Sequence, residues 1–123
     1  MFFYDWNELP AEEITEFYRR KIVHGQNLMI AKIEVMQGAV TEPHVHESEE
    51  LVIVLEGAWR FYLPEGEVTL RANQMLSIPP GIEHASEALE DTVALDVCNR
   101  RPDWDSGEDR FLHRHPDELL WAV

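Results

Sequence analysis

The sequence predicts an all-β sandwich or barrel, and three observations carry that reading. Proline and glycine punctuate the chain at short intervals, at Gly25, Gly38, Pro43, Gly57, Pro64, Gly66 and the Pro79–Pro80–Gly81 triplet. Between these marks lie short segments rich in β-branched and aromatic residues, the pattern of strands joined by tight turns. The run ELVIVLE, Glu50–Glu56, is apolar on both faces, as expected of a strand covered on both sides.

Taken in order, strands are predicted near Phe17–Val23, Leu28–Met36, Glu50–Leu55, Trp59–Leu63, Glu67–Leu70, Met75–Ile78, His84–Glu87 and Thr92–Cys98. LEGAW and LPEGEV have the form of hairpin connections, with Gly57 and Gly66 able to take positive φ at little cost. The segment PAEEITEFYRR is the exception and suggests a helical turn starting at Glu12 and Glu13. After Pro102 the chain turns polar through Gly107. Pro116, Asp117 and Glu118 then announce a short terminal helix that packs Leu119, Leu120 and Trp121 onto the barrel.

A chain of 123 residues is expected to form one domain over 1–123, with the barrel core at about 17–98 and a tail at 99–123. In ELVIVLE, Val52 and Val54 share the face of Glu50, while Leu51, Ile53 and Leu55 share the other. A small barrel has one interior, so the second face must meet another sheet, the terminal segment or a second copy. A homodimer is therefore expected.

Charge and composition narrow the partners. Ten basic residues against 24 acidic ones give a net charge of −14, a field that repels phosphate backbones and anionic lipid. Neither nucleic acid nor membrane is expected as a partner; a small-molecule substrate is. No apolar run approaches the roughly 20 residues of a membrane helix. MFFYDWNELP shows neither a basic leader nor a small-residue cleavage site, and Cys98 is the one cysteine, so a cytoplasmic protein is expected.

PHVHESEELVIVLEG, Pro43–Gly57, carries the chemistry. His44 and His46 are two apart and so project to one side of an extended chain, and Glu50 keeps that parity. Glu49 points away unless the strand bulges, which would exchange the two roles. Two imidazoles and a carboxylate suit zinc, iron, manganese or nickel. Farther on, NQMLSIPPGIEHASEA presents His84 just after a rigid Pro79–Pro80–Gly81 turn.

Gly38, His44, His46, Glu50 and Gly57, followed by Pro79, Gly81 and His84, stand at spacings that resemble the two motifs of the cupin family. The second motif departs at Asn73 and at Ala88, where the family has glycine and asparagine. Asn tolerates left-handed backbone, so the first change costs little. The resemblance runs from about Arg19 to Val97. It implies a double-stranded β-helix, or jelly roll, in which His44, His46, Glu50 and His84 converge on one divalent transition metal (Zn, Mn, Ni or Fe) inside the barrel.

Asp96 is an acid in an otherwise apolar strand, TVALDVC. Such a residue is either paired structurally or serves as a general acid/base. The stretch from Asp96 to Trp104, DVCNRRPDW, is similar to the end of the uronate-linearising cupins of pectin and alginate breakdown. Asp96 corresponds to their Asp and Arg101 to their Arg, one residue nearer, and Cys98 replaces their aromatic. That resemblance implies carbohydrate metabolism and a lyase- or isomerase-type enzyme. The metal would polarise a substrate oxygen, Asp96 would move a proton, and Arg101 would clamp a carboxylate. Arg101 also fits an intramolecular ion pair.

Two alternatives share these ligands: an iron-dependent dioxygenase with Trp59 and Phe61 as pocket aromatics, and a binding module without catalysis. Cys98 is expected as a core filler. His113 and His115 are expected as exposed tail residues.

Overall fold

The computed structural model describes residues 1–114. The expected terminal helix around Leu119–Trp121 and the position of His115 lie outside the described residues. Eleven strands run as β1 (Glu12–Thr15), β2 (Tyr18–His24), β3 (Leu28–Val35), β4 (Val40–His44), β5 (Glu50–Glu56), β6 (Ala58–Leu63), β7 (Gly66–Arg71), β8 (Met75–Ile78), β9 (His84–Ala88), β10 (Thr92–Asn99) and β11 (His113–Arg114). They form two antiparallel sheets, β1-β2-β3-β10-β5-β8 and β11-β4-β9-β6-β7. This is the jelly roll. A short helix α1 (Pro102–Ser106) and a 3-10 stretch (Glu108–Leu112) follow the barrel. Among the described residues no helix is long and apolar enough to cross a membrane.

Eight strands fall where the residue pattern predicts them, to within a residue or two. Glu12–Thr15 does not form the expected helical turn. It pairs with β2, setting Glu12 opposite Arg20 and Glu13 opposite Arg19, and opposite charges across a ladder stabilise it. Thr15 Oγ1 accepts from the Phe17 amide at 3.0 Å and closes the tight connection. Strand β4 was not foreseen, because Pro43 interrupts the pattern.

The interior is lined by Met29, Ala31, Ile33, Val35, Val52, Val54 and Ala94 from the larger sheet, facing Trp59, Phe61, Leu70 and Ala88 from the smaller. Gly57 is required at the β5–β6 turn. Its φ is +98°, and a Cβ there would stand 2.3 Å from the Asp91 carbonyl oxygen. Asn73 adopts the left-handed region at φ 70°, as its place in the second motif requires. The outer face of β5 is open, with Leu51 and Leu55 more than a third exposed and Met75 beside them more so.

Candidate metal centre

Three histidines from two strands and one loop converge at one end of the barrel. His44 ends β4, His84 opens β9 directly opposite it, and His46 lies in the loop before β5. One ring nitrogen from each lies within 4.8 Å of the others. The Pro79–Pro80–Gly81 turn holds its loop against the first motif, where the Gly81 amide donates to the His46 carbonyl at 2.9 Å.

Backbone carbonyls set the chemistry of these rings. His44 Nδ1 meets the Glu42 carbonyl at 2.8 Å, His46 Nδ1 the Ser48 carbonyl at 2.9 Å, and His84 Nδ1 the Ile82 carbonyl at 2.9 Å. A carbonyl only accepts, so each Nδ1 carries a proton and each ring turns its Nε2 inward. Burial, more than its histidine neighbours, lowers the His44 pKa to about 4, which keeps that ring neutral at physiological pH.

Glu50 stands beside them, and Glu49 is exposed, so the strand keeps its regular parity. Glu50 Oε1 is 3.4 Å from His46 Nε2 and 3.2 Å from His84 Nε2. Both His46 Nε2 and Glu50 Oε1 are buried without a hydrogen-bond partner. Buried polar atoms are rarely left so. Three imidazole nitrogens and a carboxylate at one point, two of these groups offering an orphaned atom, fit a divalent cation.

Strand β10 and the start of α1 bring Asp96 and Arg101 to the same place. Asp96 projects inward from β10, between Ala31 of β3 and Val52 of β5, and is buried. Burial and the adjacent Glu50 charge raise its pKa well above the usual carboxylate range. Burial also acts against Glu50's charge, but the adjoining Asp96, His46 and His84 side chains outweigh it and hold the Glu50 pKa well below normal. Asp96 Oδ1 has no hydrogen-bond partner. Cys98 packs as expected; burial first, then nearby Asp96, pushes its thiol up to about 12, far from a nucleophilic thiolate.

These groups face a cavity of about 30 Å³ lined by His44, Glu50, His84, Asp96 and Arg101, with Trp59 and Phe61 on its wall. The segment after β10 closes it through Trp104, Leu112 and His113. That strap is anchored by residues the motifs do not mark. Arg20 and Asp109, both wholly buried, form an ion pair. The guanidinium groups of Arg20 and Arg101 lie 4.6 Å and 4.9 Å from the Trp104 ring centre. His113 is not the exposed tail residue its H-x-H setting suggested. Its ring lies 4.0 Å from that of Tyr18, Nδ1 bonds Thr41 Oγ1 at 3.2 Å, and Nε2 is 3.6 Å from Asp109. Strand β11 seats it there by pairing with the edge strand β4.

The sequence profile described as Cupin domain matches residues 31–98, more than half of the chain. KdgF from Halomonas sp. is similar at 28% identity over 83% of this chain and 98% of its own, with a TM-score of 0.77. An RmlC-like cupin from Shewanella frigidimarina matches at 22% identity over 83% and 94%, with a TM-score of 0.78. Oxalate decarboxylase of Bacillus subtilis, a protein with Mn(II) centres, matches at 18% identity over 78% of this chain and 28% of its own, with a TM-score of 0.69. No curated protein sequence matches the chain.

Proposed function

The chain belongs to the cupin family, and from that premise we propose that it is a metal-dependent enzyme that opens or isomerises a small, carboxylate-bearing sugar derivative of the unsaturated uronate type. The observation that carries this reading is a buried acid and a buried arginine in one cavity with His44 and His84, two of three clustered histidines. Similarity to KdgF supports it.

In this reading His44, His46, Glu50 and His84 hold the cation. A divalent ion bound there supplies Lewis acidity toward a substrate oxygen. Asp96, whose pKa is raised by burial and by the adjacent Glu50, moves a proton beside the reacting carbons. Ring opening of an unsaturated uronate removes a proton from a hydroxyl, breaks the ring C–O bond and returns a proton to carbon. Atoms and electrons balance without an oxidant. Arg101 receives the substrate carboxylate, and Trp59 and Phe61 wall the sugar from water. A cavity of about 30 Å³ is far below the roughly 300 Å³ at which small-molecule pockets begin, so the strap over it lifts to admit substrate.

The remaining features belong to the same proposal. The chain acts as one domain in the cytoplasm, and a second copy covers the outer face at Leu51, Leu55 and Met75. Leu51→Glu should then convert a dimer to a monomer in light scattering; a wild-type monomer at every concentration removes the dimer.

An anaerobic assay on unsaturated uronates tests the activity. Turnover with a redox-inert metal is expected, and Asp96→Asn should lower it by about a hundredfold or more with metal content unchanged. Oxygen-dependent turnover of another substrate, with none of uronates, would transfer the protein to the dioxygenases.

A further inference from the structure

Arginine offers a carboxylate two edges: the side-on edge of Nε and one Nη, and the end-on edge of the two Nη groups. In this protein the side-on edge of Arg101 is already taken. Nε donates to Asp103 Oδ1 at 3.0 Å, and Nη2 donates to Oδ2 of the same carboxylate. Among the described residues no other carboxylate or carbonyl accepts from this guanidinium.

Two further contacts and a difference in exposure fix where the open edge faces. The Arg101 amide donates to Met29 Sδ at 3.2 Å, which ties its backbone to the barrel wall. The Trp104 ring lies 4.9 Å from the guanidinium carbon and restrains its plane. The Arg101 side chain is 6% exposed against 31% for Asp103, so Asp103 approaches from the solvent side. On the inner side Glu50 and Asp96 are close enough to act on the Arg101 charge, and Arg101 lines the cavity that they share.

We propose that Asp103 is a positioning residue: it grips the side-on edge of Arg101 and so presents the end-on edge to a ligand carboxylate in the cavity. This rests on the uronate reading above and adds to it a residue that touches no substrate. Asp103 stands two positions after Arg101 and opens α1 behind Pro102, so the rigid start of the helix holds the carboxylate in place. A long arginine side chain without that grip samples many rotamers, and its fork pays the ordering cost when the ligand binds.

The test compares D-galacturonate with its neutral counterpart D-galactose by NMR shift titration of the metal-loaded protein. Wild type should prefer the acid. Asp103→Asn should cut that preference by about tenfold, the scale of one charge-assisted hydrogen bond, and leave galactose binding unchanged. Asp103→Glu, which restores a carboxylate, should recover part of it. On a turned-over substrate the loss should appear in KM with kcat retained. Tighter binding of the acid to Asp103→Asn would make Asp103 a competitor of the ligand and overturn the proposal. An unchanged preference, even with a lowered Tm, would reduce Asp103 to a structural role and overturn it as well. Wild type without any preference for the acid would overturn the uronate reading and this proposal together.

Discussion

Two polar clusters are buried at the same end of this barrel, and they differ in what they leave unmet. The histidine cluster has its outer nitrogens bound to three backbone carbonyls, yet His46 Nε2 and Glu50 Oε1 inside it have no hydrogen-bond partner. The strap cluster of Arg20, Asp109, His113 and Thr41 is paired almost throughout; only Arg20 Nε lacks an acceptor. Each buried unpaired polar atom costs about 1–3 kcal/mol. The strap cluster spends its polar groups on one another and serves the fold. The histidine cluster holds a standing cost that a bound cation removes.

The largest effect should therefore come from breaking the unmet cluster. His44→Ala or His84→Ala should take bound metal from one ion per chain to none and lower Tm in metal-containing buffer, since a ligand stabilises only the form that binds it. Elemental analysis showing full metal in both variants would dissolve the contrast. Asp109→Ala is the matching cut in the paired cluster. It leaves the buried Arg20 with only the longer Glu12 contact at 3.4 Å and should cost up to about 3–5 kcal/mol in chemical unfolding, while metal content stays intact. Loss of metal there would mean that the clusters are one unit.

A pH series sharpens the same distinction. Burial works against the Asp109 charge, but His113 and Arg20 bring its pKa from 3.8 down to about 2. A carboxyl depressed on folding contributes stability that is full above its ordinary pKa and fades as pH falls through the folded value. The stability gap between wild type and Asp109→Asn should thus be constant above 3.8 and shrink toward pH 2. A gap that does not narrow would show Asp109 to be unpaired in solution. The smallest effect lies within the first cluster: Glu50→Gln should weaken metal binding, and Glu49→Gln, at an exposed position, should leave it unchanged.

The two clusters also differ in how they are written in the chain. His44, His46, Glu50 and the Pro79–His84 turn are local arrangements, fixed by strand parity and by turns that only certain residues make. Their spacing and its resemblance to the cupin motifs singled them out as candidates, and Gly57 and Asn73 take the backbone conformations that their motif positions require. The Arg20–Asp109 pair joins residues 89 positions apart, and no spacing rule reaches that far. His113 was misjudged for the same reason: its partners Tyr18, Thr41 and Asp109 are supplied by the fold. Glu12–Thr15 looked helical because its acids match a helix start, but their charge partners Arg19 and Arg20 lie across a hairpin.

Cys98 turns this architecture into its own reporter. It is the one cysteine of the chain, it is buried, and it lies directly across the ladder from Glu50. With its pKa near 12 the thiol stays protonated, and an alkylating reagent reaches it only when the structure around it opens. The rate of iodoacetamide labelling then clocks that opening under native conditions, one event per molecule and without an added probe. Loading the histidine cluster with metal should slow that clock.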